Sequence, residues 1–264
     1  MTIQEVGSGD TRAKPIKLGG ALITLVEPHR GHEVEYNRWY ERDHFYAGCM
    51  IGAWTISGSR YVATARHKGV RSPADSPVVD DLASGSYLAL YWVLAGKFGE
   101  WMKWGTDQVN WLHANDRMFP HRDHIHTTMY KFRAETHADA DGVPVELALD
   151  RGYPGLVLMM AEPPEGKDAA WLLDWIASRP PTPADRIAAF TAVPLLADAP
   201  PDVPLTRETE RVTLLCFDAA EPLDHWTEYQ KFAHDLADAG GHVVYAAPFV
   251  KTVPGTDTYT DKLW

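Results

Sequence analysis

Leu25-Val26-Glu27-Pro28-His29-Arg30-Gly31-His32-Glu33 lines up without a gap on Met160-Ala161-Glu162-Pro163-Pro164-Glu165-Gly166-Lys167-Asp168. In both segments an apolar run ends on Glu-Pro, and a glycine precedes a helical pattern with a carboxylate in its first turn. Outward from the first copy, periodicity predicts a strand over 20–26, a helix over 33–50 and strands over 54–65 and 87–94. A helix over 98–119 and a strand over 127–135 follow. Outward from the second copy the order recurs, as strand 156–161, helix 168–177, strands 187–196 and 212–217, helix 223–239 and strand 243–250. Residues 66–85, with Pro73 and Pro77, read as a loop, and so does the Pro-rich stretch 199–204. His126-Thr-Thr-Met-Tyr and His242-Val-Val-Tyr extend the likeness to the last strands of the two halves.

A repeated β-α-β-β-α-β is the ferredoxin-like split unit, an antiparallel sheet with both helices on one face. Its other sheet face is apolar and must be buried. The expected fold is therefore α+β, with duplicated ferredoxin-like modules packed sheet to sheet. The first module spans 1–140 and carries the site. The second spans 150–264 and acts as a built-in partner, with residues 137–153 as linker.

The 264 residues carry 25 basic and 36 acidic side chains, a net charge of −11, with 45% hydrophobic residues. That balance supports a packed core and opposes a basic nucleic-acid surface or a polybasic membrane patch. No apolar run has membrane-spanning length, and residues 1–17 lack the apolar core of a signal peptide. A cytoplasmic protein is expected, with Cys49 and Cys216 as reduced core thiols.

Asn37-Arg38-Trp39-Tyr40-Glu41-Arg42-Asp43-His44 resembles the W-Y-x-x-x-H segment of EthD-like members of the dimeric α/β-barrel superfamily, and the stretch from Phe249 to Tyr259 has a similar character. After the histidine, this chain reads Phe45-Tyr46-Ala47-Gly48 where those relatives place a small or apolar residue and a proline. The resemblance implies a barrel and a pocket. Its relatives include polyketide cyclases, lactone isomerases, cofactor-free monooxygenases and haem-binding enzymes.

On a 100° wheel Tyr36, Tyr40, Asp43 and Ala47 share one face of the first helix, flanked by Trp39 on one side and by His44 and Asn37 on the other. These residues suit general acid–base work: His44 as base or acid, Asp43 or Asn37 fixing its tautomer, and Tyr40 donating to an oxyanion. The bland alternative is a set of hydrogen-bonded boundary residues. The matching second-half helix has Leu172, Trp175, Ser178 and Arg179 instead. On the long helix, Trp101, Trp104, Gln108, Leu112, Asn115 and Phe119 share a face. Trp101, Trp104, Gln108 and Asn115, with Trp39 and His126, are the expected lining for a small hydrophobic or aromatic ligand; plain core packing is the alternative.

His121, His124 and His126 crowd the junction after that helix. They are candidates for acid–base catalysis at the pocket mouth, for a solvated loop, or for metal or haem ligation, with His124 and His126 expected on one face of an extended chain. No nucleotide-binding, nucleophile-elbow or zincin motif occurs in the sequence. The overall expectation is a cyclase, isomerase or lyase without a cofactor, with a homodimer as one option for its assembly. The alternatives are a haem-dependent or cofactor-free oxidative enzyme using the His121–His126 cluster, and a non-catalytic binder of an apolar ligand.

Overall fold

The computed structural model describes residues 15–139, 141–181, 183–194 and 210–264. The expected loop at 199–204 lies outside them. Eight antiparallel strands form the fold: β1 (Leu18–Pro28), β2 (Thr55–Val62), β3 (Tyr87–Leu94), β4 (Arg122–His137), β5 (Gly155–Glu162), β6 (Arg186–Val193), β7 (Val212–Asp218) and β8 (His242–Lys251). They close a barrel in the order β1-β3-β2-β8-β5-β7-β6-β4. Within that ring the first four strands run β4-β1-β3-β2 and the last four β8-β5-β7-β6, the same permutation. Two seams join the sets. β4 meets β6 from Met129 opposite Val193 to His137 opposite Arg186. β2 meets β8 only at Tyr61 opposite Lys251 and Val62 opposite Val250.

Alternation along each strand sends one set of side chains inward. Ile23, Leu90, Trp92, Leu158, Phe190, Leu215 and Phe249 fill the barrel and are fully buried. The Trp92 indole donates to the Val145 carbonyl at 2.9 Å, which draws the segment between the halves onto the barrel interior. The loop after β2 is tied down by the buried Arg71, which donates to the carbonyls of Leu82, Ser84 and Gly85. Ser72 pairs with Ala246, so this loop lines up beside the short β2–β8 seam.

The outward faces carry the helices. α1 (Glu33–Trp39) continues through two π-helical turns, Tyr40–His44 and Tyr46–Met50. α2 (Ala65–Lys68) is a single turn, α3 is Phe98–Ala114, and α4 (Ala148–Arg151) lies between the halves. α5 (Ala169–Ser178) and α6 (Trp226–Asp238) cover the second half, where Leu172, Trp175, Tyr229 and Phe232 close the space over β5 and β7. Cys49 and Cys216 are both free and buried. Among the described residues no helix is long and apolar enough to cross a membrane.

Two boundaries differ most from the sequence reading. α3 stops at Ala114 rather than 119, with Asp116 in the left-handed region at φ 54°. β4 begins at Arg122 rather than 127, because β1 keeps pairing with it to Pro28 opposite Arg122. The last strand, β8, ends at Lys251, close to the expected Val250, and a further segment follows it. That segment folds back on α1, where Asn37 Nδ2 donates to the Thr256 carbonyl (2.9 Å), Arg38 pairs with Asp257, and the Gly255 N–H donates to Glu41 (2.8 Å).

Candidate active site

An apolar cavity lies on the outer face of the first-half sheet, beneath α3 and the π-helical extension of α1. It encloses about 810 Å³ of empty space, counting its open mouth. Its floor is Leu22, Thr24 and Val26 of β1, Tyr91 of β3, and His124, Thr127 and Met129 of β4. Tyr40, His44, Gly48 and Cys49 form one wall. The other wall is the α3 stripe Trp101, Met102, Gly105, Thr106, Val109 and His113, spaced so that each turn returns to the cavity. Gly105 and Thr106 are small, which leaves room between α3 and the sheet. Met118 and Arg122 complete the lining.

The π turns determine which residue faces inward. The Phe45 N–H bonds the Tyr40 carbonyl and the Ile51 N–H bonds that of Tyr46, so each turn holds one residue more than an α turn. His44 therefore rotates into the cavity, and Asp43 rotates out to a half-exposed ion pair with Arg117. Asn37 is buried, but it bonds Thr256 and Arg60 instead of the cavity. Neither residue fixes the His44 tautomer, contrary to the sequence expectation. The imidazole is instead held by its faces: it stacks on Trp39 at 4.5 Å and meets the Tyr40 ring edge-on at 5.2 Å.

Nδ1 of His44 is sealed without a hydrogen-bond partner. Burial, then the charges of Arg122, His124, His113 and Arg60, push its pKa down to about 3. The ring is thus neutral across the physiological range. Tyr40 and Tyr91 share one hydrogen bond between their hydroxyls at 2.8 Å, and burial raises both pKa values. Two hydroxyls sharing one bond leave one hydrogen for a further acceptor, and the Cys49 thiol beside Tyr91 competes for it. Cys49 is a neutral thiol, pushed up to about 12 by burial. His124 Nδ1 lies 2.9 Å from Thr127 Oγ1, which lies 2.8 Å from Thr24 Oγ1, a short polar relay along the floor.

The junction histidines separate. A bulge sets Leu25 opposite His126 but Val26 opposite His124, leaving Ile125 unmatched. The extra residue reverses the pleat, so His124 and His126 are not on one face. His124 faces the cavity, whereas His126 is within 2.6 Å of the Tyr130 hydroxyl, whose ring belongs to the barrel interior. His121 stacks on His32 at 3.8 Å and does not line the cavity. Among the described residues no three His, Cys, Asp or Glu side chains gather as a metal site.

Of the expected lining, only Trp101 reaches the cavity through its helix. Trp104 covers Gly52, Gln108 donates to the Ala47 carbonyl at 2.7 Å, and Asn115 turns back to Trp111. Trp39 acts from behind His44, its indole donating to the Arg117 carbonyl at 3.1 Å. His113 and Arg122 were missed as site residues. The sequence signal for His113 is the stripe of Met102, Gly105, Thr106 and Val109 that leads to it.

Gly48 lies under the His44 ring, and a Cβ there would sit 3.1–3.4 Å from three ring atoms. Gly48→Ala is therefore expected to tilt the imidazole off Trp39. The check is a changed His44 side-chain NMR shift, with a melting temperature within about 4 °C of the parent, the scale of a 1 kcal/mol effect.

No protein-family model matches the chain, and no curated protein matches it in sequence. Solved structures do match in fold. A chlorite dismutase-like protein superposes with a TM-score of 0.51 at 11% identity, covering 94% of this chain and 100% of that one. The chain shares that protein's fold, an α+β barrel of eight antiparallel strands. Also similar are an anthrone oxidase-like protein (TM-score 0.47, 10% identity, 92% and 98% covered) and a monooxygenase-like protein from Fusobacterium nucleatum (0.45, 9%, 90% and 94%).

Proposed function

We propose that the chain is an enzyme that moves a proton on a small, ring-bearing, largely apolar substrate, with the turnover of a cyclase, isomerase or lyase. The observation that carries this reading is one apolar cavity lined by three imidazoles, His44, His113 and His124. His44, neutral and facing the cavity, is the base. His124, backed by Thr127 and Thr24, donates a second proton as acid, after which His44 gives its proton to solvent and His124 takes one back from it. The spare hydroxyl hydrogen of the Tyr40–Tyr91 pair and the Arg122 guanidinium stabilise the oxyanion that forms when a carbon acid next to a carbonyl is deprotonated. Trp39 positions His44 by stacking.

The chain is, on this proposal, two ferredoxin-like units fused in tandem, 1–140 and 150–264. The shared strand permutation and the two seams support that division. The second unit completes the barrel, and among its described residues α5 and α6 pack over its outer face, which favours the first unit as the place of the chemistry.

2-Tetralone in D₂O tests the reading, since its acidic C–H lies beside a carbonyl and its enolate is a ring-bearing oxyanion. The expected result is deuterium incorporation that saturates with ketone and exceeds the buffer rate. Saturable binding with exchange only at the buffer rate would make the protein a binder instead.

A further inference from the structure

We propose that Gly105 sets the size of the substrate that the cavity takes, leaving room for a second fused ring beside the six-membered ring of Trp101. This inference rests on the reading of the cavity as the substrate site and names the residue that selects for size.

Gly105 lies inside α3, where a glycine costs helix stability. Neither usual structural reason accounts for it. Its backbone is helical, and a Cβ added there would meet nothing closer than the six-membered ring of Trp101, at 3.5 Å, an ordinary contact. At Gly52 and Gly58, by contrast, a Cβ would come within 2.3 Å of Trp104 and 2.6 Å of Met50, so packing alone demands glycine. What a side chain at position 105 would take is space in the cavity, which Gly105 lines. Trp101 does not swing in to fill that space, because it is buried and its Nε1 donates to Thr55 Oγ1 at 2.6 Å.

The cavity also has unlike ends. Along its floor Leu22 pairs with Met129, Thr24 with Thr127 and Val26 with His124. α3 runs in the same direction: Phe98 at its start packs on Gly20, and His113 at its end acts on the charge of His44, as His124 does. Leu22, Met129, Trp101 and Met102 therefore form an apolar end, and the imidazoles gather at the other. Gly105 follows Trp101 by one turn, and a helical Cβ leans toward the helix N-terminus, so a side chain there would close the apolar end. The guest is thus oriented with its carbonyl toward His44 and His124 and its second ring over Trp101.

Ligand-observed NMR titration with 2-tetralone and with cyclohexanone, its single-ring counterpart, tests the inference by binding alone. Wild type is expected to bind the two-ring ketone about 10-fold or more tighter, the scale of added methylenes in an apolar pocket. Gly105→Leu should cut that preference by about 10-fold or more. Gly105→Ala should cut it less, while raising the melting temperature by about 2–4 °C, the gain from replacing a helix-interior glycine in a chain of this size. Gly99→Ala, exposed at the start of α3 with nothing within 4 Å of an added Cβ, should leave the preference intact. Equal binding of the two ketones by wild type, a preference that survives Gly105→Leu, an equal loss of both ketones, or a lowered melting temperature for Gly105→Ala would overturn the inference. Binding without deuterium exchange would overturn the enzyme reading and leave the size inference standing. If wild type binds neither ketone, both fall.

Discussion

His44→Ala is expected to slow enzyme-catalysed deuterium exchange into 2-tetralone by about 10²–10⁴-fold, the usual cost of losing a positioned base. The loss should fall on the exchange rate and not on ketone affinity, because the cavity's apolar lining stays in place. Folding should survive, since the ring removed carries a sealed, unpartnered Nδ1 and borders a cavity that is already open. His121→Ala is the matched control. Its imidazole stacks on His32 outside the cavity, so exchange should change by less than about 2-fold, with no transition-state contact to lose. Similar losses for both variants would remove His44 from its assigned role.

Acidification should destabilise the protein steeply in the range where ordinary histidines begin to protonate. An unfolded imidazole titrates near 6.5. In the fold, burial holds His126 down to about 4 and His44 to about 3. Below pH 6.5 the unfolded chain therefore binds more protons than the native one, and stability falls as pH falls. The window runs from 6.5 down to about 4 for His126 and about 3 for His44. His67, also lowered by burial, acts in the same direction. Each such ring contributes up to about 1.4 kcal/mol per pH unit, so His44 and His126 together remove roughly 2–3 kcal/mol between pH 6 and 5. For a chain of this size that is a fall of roughly 5–10 °C in melting temperature. His126→Gln should flatten the slope. A melting temperature constant from pH 6.5 to 5 would contradict the burial of these rings.

Much of the architecture was legible in the residues, because strand and helix periods differ and turn residues punctuate them. The runs 20–26, 87–94, 156–161 and 212–217 all lie inside observed strands. The site was legible only in part. A 100° wheel placed Asp43 inward and His44 on the flank, and nothing in Tyr40–Met50 signals the π turns that exchange them. His121 to His126 read as a junction because the stretch is polar, yet pairing with β1 draws Arg122–His126 into the sheet, and one bulge then splits the histidines between cavity and barrel. The face of α3 was judged by its tryptophans, whereas the cavity follows its smallest residues, Gly105 and Thr106, down to His113. The residues after β8 gave only a loose family likeness. Their observed role is to hold Asn37, Arg38 and Glu41 on α1, a long-range contact that no local pattern encodes.

The central claim is that the cavity holds the His44 ring neutral, as a base that faces the substrate. ¹⁵N NMR titration of the His44 ring, assigned by its loss in His44→Ala, measures that directly. The account predicts a ring that stays neutral down to about pH 4. A His44 ring that titrates near 6.5 would contradict it.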